Sequence, residues 1–141
     1  NKHSIEPELI RFEVKESLLL KYYRLLGPKL NFLRDLGFEI IIDDFGSNQF
    51  SLRALTQINF DEVKIAKNCL DEAAKDSTYF NYLVKLGKML GKIVSVKGVE
   101  VKSQYNLIKN AQCNKVQGFY FYIPLIESEF KRLLIEMQET D

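Results

Sequence analysis

An α/β chain of about five consecutive βα units, arranged as an open parallel sheet or an incomplete (β/α)8 barrel, is the fold class this sequence predicts. Three observations predict it. Short β-rich runs alternate with helical segments along the whole chain. One run, Phe38 to Ile42, is continuously apolar, as in a strand covered on both faces. And 141 residues fall short of the roughly 250 that a complete barrel needs.

The elements follow in order. Leu9 to Val14 alternates, with Ile10, Phe12 and Val14 on one face and Arg11 and Glu13 on the other, so it reads as a strand. Leu18 to Leu36 has apolar residues at helical spacing, but Gly27-Pro28 interrupts it. A short helix, a break and a second helix are expected, because proline lacks the N–H that a helix interior needs. Gly37 closes that segment, Phe38 to Ile42 forms the next strand, and Asp43 to Gln49 forms a polar turn. Phe50 to Leu55 is a short helix and Glu62 to Ile65 a strand. Tyr79 to Leu90 is a helix closed by Gly91, and Lys92 to Val96 is a β-branched strand. Ser103 to Ala111 is helical, Lys115 to Gln117 begins a short strand, and Glu127 to Met137 is a terminal helix beyond Pro124.

Composition narrows the function. Twenty basic against nineteen acidic side chains leave a formal charge of +1, so no overall field holds DNA or an anionic membrane, and any phosphate must be held locally. Cys69 and Cys113 have no CxxC spacing and His3 is the only histidine, which suggests neither a zinc site nor a Cys/His nucleophile. Both cysteines are expected to be reduced and structural. No apolar run is membrane-sized and the first twenty residues hold no signal-peptide core, so a soluble, cytoplasmic segment is expected, with no membrane insertion.

In parallel α/β folds the ligand site lies at the carboxyl ends of the strands. Glu13, Asp43 and Asp44, Lys97 and Glu100, and Gln117 fall at or just after strand ends, and Lys64 lies in the third strand. Adjacent aspartates there suit hard divalent cations, which can activate water for phosphodiester attack. The same residues also suit an Asx-type turn leading into a helix. Lys64 fits a phosphate oxygen or an ordinary ion pair, and Gln117 fits a ligand contact or a tight bend before Gly118. Tyr120, Phe121 and Tyr122 read as core and lid packing.

Five ordered motifs run along nearly the whole chain: Phe12-Glu13-Val14-Lys15-Glu16-Ser17, Ile42-Asp43-Asp44-Phe45-Gly46, Phe60-Asp61-Glu62-Val63-Lys64-Ile65, Gly98-Val99-Glu100, and Val116-Gln117-Gly118-Phe119 with Pro124-Leu125 behind it. In order and spacing they resemble the motifs of the EAL domain family, the first looking like its ExTES segment and the second like its DDFG signature. The resemblance implies a bacterial domain with a TIM-like barrel that binds cyclic di-GMP with two Mg²⁺ or Mn²⁺ ions and cleaves it to a linear dinucleotide. It implies Glu13, Asp43 and Asp44 as metal ligands, Glu16 as the brace of the loop after Asp44, Lys64 as the holder of the attacking water or a phosphate oxygen, and Gln117 and Glu100 as ligand-side residues.

This chain departs from the pattern where it matters chemically. The family's KID reads Lys64-Ile65-Ala66, so a methyl group replaces a carboxylate. Its AEGVE reads Val96-Lys97-Gly98-Val99-Glu100, which puts an ammonium where a catalytic glutamate is expected and weakens any metal site. Lys97 could pair with Glu13, with Asp43 or with a phosphate. Ser47-Asn48-Gln49-Phe50 stands in place of TGYS.

Residues 1–141 are therefore expected to be the C-terminal portion of one EAL-like domain, an incomplete (β/α)8 TIM-like barrel. Its expected role is cyclic di-GMP signalling without catalysis, as a nucleotide receptor or a protein-interaction regulator, with weak or no metal binding. The alternative is an active phosphodiesterase once the missing strands are supplied. Exposed sheet edges predict a protein partner or self-association.

Overall fold

The computed structural model describes residues 5–47 and 52–138. Its five strands are β1 (Arg11–Lys15), β2 (Glu39–Phe45), β3 (Glu62–Ile65), β4 (Ile93–Lys97) and β5 (Lys115–Gln117). They form one parallel sheet in sequence order. The helices are α1 (Glu16–Asp35), α2 (Leu52–Leu55), α3 (Lys67–Glu72), α4 (Thr78–Met89), α5 (Lys102–Asn110) and α6 (Glu127–Gln138). Unbroken sequential order is the winding of a barrel, whereas a doubly wound sheet reverses at a switch point. The fold is therefore an incomplete (β/α) barrel of about five units. Among the described residues, β1 and β5 are the two edges of the sheet. No described helix is long and apolar enough to cross a membrane.

Side chains alternate between the two faces of a strand, and here the faces differ in character. On one face Ile40, Ile42, Val63, Ile65, Val94 and Val96 are buried. They share a core with Leu19 and Leu30 of α1 and with Phe80, Leu83 and Val84 of α4. Each such side chain contributes roughly 1.5–3 kcal/mol on burial, and this layer between sheet and helices is the main stabilising element. Gly87 lets α4 settle onto it, since a Cβ there would lie 2.6 Å from Val94 Cγ2 and 3.0 Å from Val63 Cγ2.

The other face carries charge. Arg11 pairs with Glu39, Glu13 with Lys64, Asp43 with Lys97, and Glu62 with Lys115. The last three pairs each skip a strand, joining β1 to β3, β2 to β4 and β3 to β5. Layers drawn from alternate strands are how barrel interiors are built, so this is the inner face.

Several elements differ from the sequence expectation. Helix α1 runs through Gly27-Pro28, and its one non-helical residue is Tyr22, at φ −130° and ψ 20°. Leu30 in the core and Leu26 and Leu33 against it hold the segment beyond Pro28 in place, so packing overrides the missing N–H. Strand β2 continues through Asp43, Asp44 and Phe45, which had read as a turn, because parallel pairing with β3 resumes at Phe45 and Ile65. The first strand begins at Arg11, after a single 3-10 turn at Pro7–Leu9. Helix α3 was not foreseen. The expected Phe50–Leu55 helix is present as Leu52–Leu55, while Phe50 and the Asn48-Gln49 part of the loop lie outside the described residues, as does His3.

Candidate functional site

The strand ends of the inner face gather most of the residues singled out from the sequence. Pairing of β2 with β3 slips between Ile42 and Phe45, a bulge with one extra residue on β2. Asp44 sits at that slip with φ 56°, a backbone region an aspartate tolerates better than most residues. The consequence is chemical. Neighbours on a regular strand point to opposite faces, yet here Asp43 and Asp44 both reach Lys97 at the end of β4. The Lys97 Nζ donates to Asp43 Oδ1 at 2.6 Å and Oδ2 at 2.8 Å, and lies 2.7 Å from Asp44 Oδ1.

The electrostatics agree with the distances. Hydrogen bonding from Lys97 holds the Asp44 carboxyl below its usual range, against the opposing effect of burial. Burial alone would lower the Lys97 pKa, but the two aspartates outweigh it and raise it. The ammonium is therefore charged and fixed. Lys64 donates to Glu13, so that carboxylate also faces a lysine. Lys15 lies 3.6 Å from Asp44 Oδ2.

Glu16 is buried behind the site at 1% exposure, and its Oε1 accepts the Gly46 N–H at 3.4 Å. The Tyr79 hydroxyl donates to the Gly46 carbonyl at 2.9 Å. Gly46 itself has φ 88°, and a Cβ there would be 2.3 Å from Leu83 Cδ1, so the turn after Asp44 requires glycine. Ala66 is buried in the helix-side core.

Beside Lys97 a cleft of 610 Å³ opens, lined by Lys67, Gln117 and Glu100 and walled by Phe119, Tyr122 and Ile123. Gln117 stands opposite Lys97 in the β4–β5 register. Gly118 allows the chain to pass tightly there, since a Cβ would come within 2.0 Å of the Val99 carbonyl oxygen. Glu100 lies 3.2 Å from Lys67, which raises the Lys67 pKa. The backbone N–H groups of Glu100 and Val101 both donate to Gln104 Oε1. Lys67 was missed from the sequence, although its place one residue past Ala66 at a strand end was an available signal. The aromatic segment is not core. Tyr120 and Phe121 are more than a third exposed and pack on Tyr105, while Phe119 and Tyr122 face the cleft.

Two further expectations can be placed. Burial pushes the Cys69 and Cys113 thiols up to about 11, so neither is an activated nucleophile. For divalent cations the fit is poor. Glu13, Asp43 and Asp44 each already face a lysine ammonium, and among the described residues no group of three or more His, Cys, Asp or Glu is placed to hold a metal. Carboxylates neutralised by fixed ammonium groups offer little to Mg²⁺ or Mn²⁺.

Comparison with known proteins gives a consistent picture. The profile described as EAL domain matches residues 1–124. The signaling protein YkoW of Bacillus subtilis is 31% identical over 139 residues, covering 96% of this chain and 17% of YkoW. The bifunctional diguanylate cyclase/cyclic di-GMP phosphodiesterase MucR of Pseudomonas aeruginosa is 32% identical over 127 residues, covering 88% of this chain and 18% of MucR. Among solved structures, the PaMucR phosphodiesterase in its c-di-GMP complex superposes with a TM-score of 0.86 at 31% identity, covering 92% of this chain and 53% of that one. The chain thus spans less than a fifth of those two curated relatives and about half of the solved chain.

Proposed function

The chain belongs to the EAL domain family, and we propose that it is the C-terminal portion of a bacterial cyclic di-GMP signalling domain that binds the nucleotide without hydrolysing it. One observation carries the second half of this reading. The Lys97 ammonium is bonded to both Asp43 and Asp44, at the carboxylates where a hydrolytic member would need metal-activated water. Ala66 stands where the resemblance expects a carboxylate, and Glu13 is engaged by Lys64, so neither position offers a free general base.

Binding itself is supported by the neighbouring cleft. Lys67 and Lys97 supply positive charge for a phosphodiester, Gln117 supplies an amide, and Phe119 and Tyr122 supply faces on which a purine can stack. PaMucR, similar over 92% of this chain, was solved with c-di-GMP bound. A protein-interaction role is the second reading. It is favoured by α6, which leaves Phe130, Leu134, Ile135 and Met137 exposed.

Isothermal titration of cyclic di-GMP with and without Mg²⁺ tests the proposal. Saturable heat of equal affinity in both conditions is expected. No heat in either would favour the protein-interaction role, and appearance of linear dinucleotide at enzyme-like rates would overturn the non-catalytic reading.

A further inference from the structure

We infer that Lys97 is a built-in cation that fills the strand-end carboxylate site and keeps divalent metals out. The inference deepens the reading of this site given above but does not require nucleotide to bind. An ammonium has three N–H donors and no acceptor. Lys97 finds three carboxylate oxygens within donor reach, Asp43 Oδ1, Asp43 Oδ2 and Asp44 Oδ1, at 2.6, 2.8 and 2.7 Å, so both aspartates are bound by the one ammonium.

The backbone is shaped to make this match. Without the bulge at Asp44 and its φ of 56°, one of the two adjacent carboxylates would turn to the helix side of the sheet. Glu16 and Tyr79 hold the following turn through Gly46, so the carboxylates cannot drift from the ammonium. A metal would meet three obstacles together. Mg²⁺ demands oxygen ligands at about 2.0–2.1 Å in near-octahedral array, tighter than the spread of oxygens around Nζ. It would have to expel a tethered cation whose local concentration never falls. Should Lys97 stay nearby, the metal would feel like-charge repulsion in a partly buried site.

Lys64 extends the same arrangement. Its contact with Glu13 neutralises a further strand-end carboxylate, so two lysines from β3 and β4 stand in for mobile ions across β1 and β2. The site is then independent of metal supply, unlike one that must load Mg²⁺ or Mn²⁺ before it can act.

Titration of MnCl₂ into the protein without nucleotide, following free Mn²⁺ by its electron paramagnetic resonance signal, tests the inference. Wild type should leave millimolar Mn²⁺ free. Lys97→Glu and Lys97→Gln should each gain saturable Mn²⁺ binding, by about tenfold or more over wild type, with the larger gain for glutamate. Thermal melting shows which variants are folded, and the neutral glutamine serves if the glutamate variant does not fold. Saturable binding to wild type as tight as to the variants would overturn the inference. So would folded variants as indifferent to Mn²⁺ as wild type, because Lys97 would then not be what bars the metal. Since no nucleotide is present, failure of the titration with cyclic di-GMP leaves this result readable.

Discussion

The Lys115 ammonium reaches across β4 to the Glu62 carboxylate at 2.7 Å, joining the starts of β5 and β3 at the end of the sheet opposite the cleft beside Lys97. Glu62 is 3% exposed, while Lys115 keeps contact with solvent. Lys115→Met is expected to destabilise the fold by roughly 1–3 kcal/mol. That is less than the loss for a wholly buried pair, because water reaches the lysine. Urea denaturation measures it. The double change Lys115→Met with Glu62→Leu should recover most of the loss, since no carboxylate is then left unpaired. A double variant as weak as the single one would assign the loss to something other than the orphaned charge.

Asp61 ties α1 to the sheet. Its carboxylate accepts from Arg34 at 3.0 Å and from the Ile40 N–H at 2.9 Å. Burial acts to raise the Asp61 pKa, but the Arg34 and Ile40 hydrogen bonds outweigh it and hold the carboxyl below its usual range. A carboxyl lowered in the folded state stabilises above its unfolded pKa of about 4, and that contribution is lost as pH falls through the lower folded value. Asp61→Asn should therefore be less stable than wild type at pH 7, with the gap closing toward pH 3. Urea midpoints at the two pH values give the comparison, and a gap that widened in acid would contradict it.

Backbone clearance separates two glycines. At Gly118 a Cβ would lie 2.0 Å from the Val99 oxygen and 2.3 Å from its nitrogen, so the clash is backbone to backbone. Gly91 has φ 69° but open space around it. Gly91→Ala should cost about 1 kcal/mol, from strain alone. Gly118→Ala should cost at least twice that and deform the cleft. Thermal melts of the two variants rank them, and equal losses would show that the turn at Gly118 yields easily.

In the cleft, Lys67→Glu should weaken cyclic di-GMP binding by about tenfold or more, because a charge-assisted contact becomes a repulsion. Lys67 is well exposed, so its melting temperature should barely move. Unchanged affinity would place the phosphates elsewhere in the cleft.

Much of this was legible from residue order. The strand at Glu62 to Ile65 agrees with the structure in its bounds, and the strand expected to begin at Lys115 starts there, because turn residues and helices frame them closely. Glu13, Asp43, Asp44, Lys97 and Gln117 could be assigned to strand ends, and Lys64 to the third strand, because a βα alternation fixes the direction of every strand. What stayed hidden depended on tertiary contact. The bulge at Asp44 leaves no local sequence mark, and it decides which carboxylates Lys97 can reach. Pro28 advertises a break that packing suppresses, while Tyr22, with no such signal, is where the helix departs from regularity.

The division of the sheet into an aliphatic outer face and a charged inner face has a consequence for how such a protein changes over time. Exchanging a carboxylate for an ammonium at position 97 touches no atom of the layer that Ile42, Val63, Val94 and Leu83 form with the helices. Chemistry and scaffold are thus separately heritable. A change of charge on the inner face therefore leaves the packed layer between sheet and helices as it was.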